Sequence, residues 1–236
     1  MKRALLIGES WTIHMIHQKG FDSFTTTEYH KAAVEFTAAL SGGGWEVTHV
    51  PAHEVEHRVP SDREGFHQYD LVILSDIGAN SLLLTKSVFS HSRPEPNRLE
   101  VMREWVLGGG GLLMVGGYLT FQGIEAKGAY AGTAVEEVLP ITFHRYDDRH
   151  ESPQGLTPSV VNASHPVMDG LDDWPHFLGY NRSVAREDAT VLATIDGDPF
   201  LAVRQVGSGR SAIFASDCAP HWGPPEFLEW KGYSAL

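Results

Sequence analysis

Cysteine occurs once in the 236 residues, at position 218. No disulfide can close within the chain, so the fold must be held by its own apolar core, and a reducing compartment, the cytoplasm, is expected. Basic residues are scarce: 18 Lys and Arg against 30 Asp and Glu leave a formal net charge of −12. That balance argues against a nucleic-acid backbone or an anionic membrane as partner. It leaves room for an anionic small ligand, because local charge can oppose the net. Long hydrophobic runs are missing too: no stretch reaches the roughly 18 apolar residues of a membrane span. The apolar run after Met1-Lys2-Arg3 is too short for a secretory signal. No G-x-G-x-x-G follows the first strand pattern, and G-x-x-x-x-G-K-[ST] is absent, which disfavours dinucleotide and P-loop nucleotide cofactors. No cofactor is expected.

What is present reads as one α/β domain over residues 1–236, with 42% hydrophobic and 20% charged residues and no repeat or linker. Short apolar runs fit buried strands at Ala4–Ile7, Trp45–Val50, Leu71–Leu74 and Leu112–Val115. Helical spacing marks Thr27–Leu40, through Tyr29, Ala32, Ala33, Phe36, Ala39 and Leu40, and Asn97–Leu107, through Leu99, Met102, Val106 and Leu107. Strands alternating with helices predict an open, flavodoxin-like parallel sheet with helices on both faces. In the second half, Ala134–Leu139 reads as a short helix and Ile141–Tyr146, Thr190–Ile195, Phe200–Val206 and Ser211–Ala215 as strands. Gly207–Arg210 joins the last two as a hairpin.

In such a sheet ligands bind beyond the carboxyl ends of the strands. Glu9, Asp76 and Tyr118 each follow a predicted strand by two or three residues, so they are expected on one edge. Gly116 and Gly117 turn the chain before Tyr118 and free its backbone to approach a ligand. With His165 and His221 these make the candidate catalytic set. Trp11, Tyr180 and Trp222 are candidate flat walls, and Asp148, Arg149, Glu151, Asn181 and Asp217 candidate polar contacts. His14 and His17 have no adjacent third ligand, and His165 with His221 follows no zinc spacing, so no metal is expected.

Four segments carry a resemblance: GGGLLMVGG (109–117), YDLVILSDIG (69–78), HPVMDGL (165–171) and GSGRSAIFASD (207–217). Together they resemble the class I glutamine amidotransferase-like superfamily, its bacterial cytoplasmic branch above all, with the trehalose-utilisation (ThuA-like) proteins as cousins. The resemblance spans nearly the whole chain. It implies a cysteine nucleophile at a G-x-C-x-G turn. Gly116–Thr120 occupies that place, and Tyr118, with an ordinary pKa of about 10, is no substitute for a thiolate. The class also pairs a histidine with a carboxylate two residues later. His165 is followed by Pro166 and Val167, and His221 by Trp222 and Gly223. Glutamine hydrolysis by the usual triad is therefore not expected.

Two functions stay open at this point. One is an enzyme or former enzyme handling a small polar, sugar-like metabolite. The other is a non-catalytic binding or assembly protein that keeps the fold without the chemistry. The sequence leaves self-association undetermined. Convergence of Glu9, Asp76, Tyr118, His165 and His221 on one cleft favours the first function, and their dispersal the second.

Overall fold

Ala4–Ile7 and Val72–Leu74 carry no polar side chain and are wholly buried, and the sheet is assembled around them. The computed structural model describes residues 1–236. In chain order the elements are β1 (Lys2–Gly8), β2 (Ser10–Lys19), β3 (Asp22–Lys31), α1 (Val34–Gly42), β4 (Trp45–Val50), α2 (Val55–Arg58), α3 (Arg63–Phe66) and β5 (Leu71–Ser75). Then come α4 (Ala79–Leu83), α5 (Lys86–His91), α6 (Arg98–Leu107), β6 (Gly111–Val115), α7 (Ala134–Val138), β7 (Ile141–Phe143), β8 (Arg149–Leu156) and β9 (Ser159–Val160). The chain closes with β10 (Phe177–Asn181), β11 (Ser183–Ala185), β12 (Thr190–Ile195), β13 (Asp198–Val206), β14 (Gly209–Phe214) and α8 (Pro225–Leu228).

Eight strands form one sheet in the order β4-β1-β5-β6-β14-β13-β12-β9. The first five are parallel, and β13, β12 and β9 extend them antiparallel. β5 lies between β1 and β6, with Leu6 opposite Ile73 and Ile73 opposite Leu113. Both of its edges are therefore paired, and Val72–Ser75 are buried, which suits a run with no alternation. This is the expected flavodoxin-like architecture with added C-terminal strands. Right-handed crossovers put α1, on the way from β1 to β4, and α6, on the way from β5 to β6, on opposite faces because the two steps run in opposite directions.

α6 starts where Asn97 accepts the N–H groups of Leu99 and Glu100, and it buries Leu99, Met102, Trp105 and Val106. Aromatic rings close the far half: Phe177 stands 4.8 Å from Phe227 and 5.0 Å from Phe200. No helix is long and apolar enough to cross a membrane.

The structure corrects the helix expected over Thr27–Leu40. Only Val34–Gly42 is helical, and Thr27–Lys31 belongs to β3. β2 and β3 form a separate two-stranded ribbon, turning at Gly20 with φ 64°. The β-branched run Thr25–Thr27 favours extended backbone, and the apparent helical spacing straddles the ribbon's end. The polar clusters at Asp147–Glu151 and Gly179–Asn181, expected as turns, lead into or lie in β8 and β10, which pair with each other.

Gly8 is the tightest point of the β1–β5 junction. Its φ is +110°, and a Cβ there would stand 1.9 Å from the Ser75 carbonyl oxygen. Gly8→Ala is expected to destabilise the protein by roughly 2 kcal/mol or more through this clash and the unfavourable φ. The check is the urea midpoint against wild type; an unchanged midpoint rejects the constraint.

Candidate functional site

Four adjacent strands, β1, β5, β6 and β14, end on one edge, and the residues just after them make the site. The chain order reverses between β1 and β5, the switch point at which open sheets leave a crevice. Glu9 and Asp76 flank it, both in the left-handed region, with φ 49° and 44°. Such backbone is costly for residues with a Cβ and concentrates at functional turns. Main-chain bonds hold it: the Glu9 N–H donates to the Ser75 carbonyl at 3.1 Å, and the Glu9 carbonyl accepts from Ala32 N–H at 3.1 Å. A ring nitrogen of His49 donates to the Gly8 carbonyl at 2.8 Å.

Below the rim lies a buried acid cluster. Glu9 Oε1 accepts from Ser75 Oγ at 2.5 Å and from Cys218 Sγ at 3.4 Å. Burial, then the charges of Asp217 and Asp76, raise the Glu9 pKa from 4.5 to about 8. Burial likewise raises Asp76, reinforced by Asp217. Burial raises Asp217 too, against the opposing pull of His221. The Cys218 thiol is pushed well up by burial and by the neighbouring Glu9 and Asp217. Glu9, Asp217 and Cys218 bring one ligand atom each within 4.8 Å of one another. Within the cluster Glu9 accepts from Ser75 and Cys218, and Asp217 faces His221.

Above the cluster stands His221. Its Nδ1 faces Asp217 Oδ2 at 3.3 Å, and its side chain is 48% exposed. The bond to Asp217 raises its pKa. The imidazole lies between two aromatic rings, Trp11 at 5.8 Å and Tyr118 at 5.2 Å between centroids. Trp11 in turn stacks on His30 at 6.1 Å. The Tyr118 hydroxyl donates to Glu151 Oε1 at 3.0 Å, and the Trp222 indole N–H donates to Glu151 Oε2 at 2.9 Å. The Arg149 guanidinium lies over the Tyr118 ring, 4.8 Å from its centroid.

The glycine turn after β6 is pinned from below. Gly117 N–H donates to Asn181 Oδ1 at 2.8 Å, and Asn181 Nδ2 donates back to the Gly117 carbonyl at 3.2 Å. Asn181 also donates to Asp148 at 2.9 Å, and Asp148 accepts the N–H groups of Gln122 and Gly123. Burial lifts Asp148 to about 6 despite these bonds. A Cβ on Gly116 would lie 2.5 Å from the Ala215 carbonyl oxygen, so the turn packs directly on the end of β14. Asp76 Oδ1 accepts the Leu119 N–H at 2.9 Å and so ties the β5 end to the same turn.

Glu9, Asp76, Tyr118 and His221 are thus gathered at one edge, with Trp11 and Asp217 among them and Gly116 and Gly117 beneath. His165 is not. Its ring accepts the Val167 N–H at 3.2 Å and caps its own turn, away from this cluster. Tyr180 is buried with its hydroxyl on Asp198, so it is no wall of the pocket. Trp222 is buried as well and acts through Glu151 rather than facing a ligand. Asp148 and Asn181 brace the turn from inside, and Arg149 is bound by Asp147. Sequence reasoning missed Ser75, Cys218 and His30 as members. Ser75 and Cys218 adjoin Asp76 and Asp217 in the chain, a signal that was present. His30 reaches the site only through pairing with Trp11 across the ribbon.

The family described as "Putative glutamine amidotransferase" matches residues 3–236. No curated protein matches the chain. Among solved structures, the cytoplasmic protein STM3548 of Salmonella typhimurium is 46% identical with a TM-score of 0.95, over 99% of this chain and 95% of that one. The cytoplasmic protein STM1381 of Salmonella typhimurium LT2 is 45% identical with a TM-score of 0.94, over 98% and 95%. A "putative thua-like protein" of Bacteroides uniformis is 13% identical with a TM-score of 0.54, over 99% and 91%, and shares the fold.

The buried Glu9 generates a pH prediction. Its folded pKa, about 8, lies above the ordinary 4.5, so the folded chain binds more protons than the unfolded chain between these values. That contribution is fully present at low pH and is lost as pH rises through the folded value. Stability should decline between pH 4.5 and 8, and Glu9→Gln should flatten the decline. Urea titrations at several pH values measure it; parallel wild-type and Glu9→Gln profiles reject a neutral Glu9.

Proposed function

We propose that this chain, which belongs to the GATase1-like family described as "Putative glutamine amidotransferase", binds a small, neutral, polyhydroxylated (sugar-like) metabolite at its strand ends. On that ligand His221 and Asp76 move a proton, without glutaminase chemistry. The observation that carries this reading is the half-exposed imidazole of His221, held at Nδ1 by buried Asp217 between the rings of Trp11 and Tyr118. An imidazole held in this way offers Nε2 as acid or base. Asp76, with a raised pKa and an electrostatic link to His221, is its partner. Trp11 and Tyr118, packed against His221, line the approach with aromatic C–H surface, and carboxylates accept hydroxyl protons.

Charge narrows the ligand. Glu151 and Asp76 lie at the rim with Asp217 buried beneath it, and the guanidinium nearest to it, Arg149, is already paired with Asp147. A phosphate or carboxylate group would find no unpaired guanidinium there. Glu9 is the neutral floor of the pocket and Asp217 the positioning residue for His221. No cofactor is required by this scheme, and a cytoplasmic setting agrees with the lone free thiol.

Glutaminase chemistry lacks its nucleophile. The only thiol is buried with its pKa raised, and the Tyr118 hydroxyl at the family's nucleophile position is spent on Glu151. These two facts also favour a second reading, in which the pocket binds its metabolite without turnover. Purified protein is expected to release no ammonia from glutamine above background; release abolished by Cys218→Ser would overturn this assignment.

A titration panel of aldoses, ketoses, polyols, amines and sugar phosphates tests the ligand class, with deuterium exchange from solvent into the bound ligand as the readout of proton transfer. A neutral aldose or ketose should bind and exchange deuterium at the carbon next to its carbonyl, while a polyol, which has no such carbon, should bind without exchange. His221→Gln and Asp76→Asn should each slow exchange by about 100-fold or more while changing affinity far less. Binding of an aldose or ketose without exchange selects the non-catalytic reading. Exclusive binding of amines or phosphates would falsify the ligand class.

A further inference from the structure

The β2–β3 ribbon is ten residues long on each strand and packs on the rest of the chain only at its root, through Ser10, Trp11, Tyr29 and Ala32. A two-stranded hairpin with nothing beneath it is marginally stable in water. Its two faces differ. The register places Trp11, Ile13, Met15, His17 and Lys19 on one face, with His30, Glu28, Thr26, Phe24 and Asp22 across from them. The other face is Thr, Ser, Gln, His and Lys apart from the exposed Ile16 and, at the root, Tyr29. On the apolar face His17 stacks on Phe24 at 4.5 Å, and at the tip Phe21 is fully exposed.

The same chain has a second unpartnered apolar surface. On the α1 side of the sheet, α1 covers the β4 edge and the C-terminal segment covers β13 and β14. Between them lies a cavity of about 890 Å³, lined by Phe36, Trp45, Leu71, Leu113, Val203 and Ala212 among others. A doubly wound sheet ordinarily has helices over this strip; here Leu71, Leu113, Val203 and Ala212 are only half-buried. Lys2 and Arg210 line the cavity, and neither forms an ion pair, while its one carboxylate, Asp70, accepts the Arg3 N–H. The ribbon's apolar face carries Asp22 and Glu28 against the single Lys19, with His30 beside Glu28 at 3.3 Å. In a chain of net charge −12, a cationic patch beside an apolar strip matches a face on which two acids outnumber one lysine.

We infer that the ribbon is an exchange arm: its apolar face seats on the uncovered sheet face of a second copy of this chain, and the second copy's arm returns the contact. A two-fold axis makes the exchange reciprocal and closed. Ten residues of strand reach about 33 Å, and one face of a ribbon about 10 Å wide presents roughly 300 Å². Two arms and two acceptor faces together bury on the order of 1,300 Å², within the range of stable interfaces. Since Trp11 and His30 form the arm's root, docking the arm also steadies the aromatic wall beside His221. The inference is independent of the ligand proposed above.

Light scattering on the full chain gives the test. Wild type should be a dimer at micromolar concentration. Met15→Glu with Phe24→Lys, on the apolar face of the arm, should give monomer, and Thr27→Lys, on the polar face, should leave the dimer intact. Lys2→Glu with Arg210→Glu, both exposed, should weaken the dimer at least tenfold while circular dichroism shows an unchanged fold. Mixing the arm variant with the cavity variant restores one intact arm and one intact acceptor, so a heterodimer should reappear. Monomeric wild type, a dimer indifferent to the arm variant, or a dimer indifferent to the cavity variant would each overturn the exchange.

Discussion

The Glu9 peptide is bonded on both sides. Its N–H reaches the Ser75 carbonyl and its carbonyl accepts from Ala32, so one left-handed residue joins β1, β5 and the base of the ribbon. Gly8 makes the approach feasible, since any side chain there would strike the β5 backbone. The rest of the site depends on this junction. It directs the Glu9 carboxyl beneath the sheet edge, where Ser75 and Cys218 reach it, and launches Ser10 and Trp11 toward His221. The strain of φ 49° at Glu9 is held by main-chain bonds on either side, and that of φ 44° at Asp76 by its side chain accepting the Leu119 N–H.

Burial and charge then act in sequence. Three carboxyl groups crowd below His221, and desolvation favours keeping protons on them. The imidazole gains basicity from Asp217. Glu9, raised to about 8, keeps its proton at neutral pH, and the same surroundings do not suit a thiolate. Cys218, in the middle of the cluster, is held as a thiol by the same physics. The second half of the chain supplies the scaffold for this arrangement. Asn181 imitates a peptide and satisfies both polar groups of Gly117, Asp148 holds the following loop, and Glu151 clamps Tyr118 to Trp222.

Much of the sheet was legible from runs of residues alone. Ala4–Ile7, Leu71–Leu74 and Leu112–Val115 lack alternation because they are central strands of a parallel sheet with little solvent on either face, and that pattern is local. The convergence of Glu9, Asp76 and Tyr118 followed from their offset after parallel strands, a rule of topology that needs no coordinates. The ribbon was not legible. Tyr29, Ala32, Ala33 and Phe36 have helical spacing across the end of β3, and nothing local marks the join. His165 misled for a related reason: a histidine before proline reads equally as a ligand or a cap, and here Val167 N–H takes its ring nitrogen.

Composition and pattern by themselves determined the α/β class, the parallel core and the edge on which polar residues would gather, because strand burial and crossover handedness follow from short-range chemistry. Tertiary structure alone decided which polar residues meet. Asp217 and His221 come from after the last strand, and their distance from Glu9 in sequence hides a separation of a few ångströms. It also decided that Cys218, Tyr180 and Trp222 are enclosed and that one sheet face lacks a cover. Burial and proton affinity are properties of surroundings built from distant segments, and no single stretch of chain contains them.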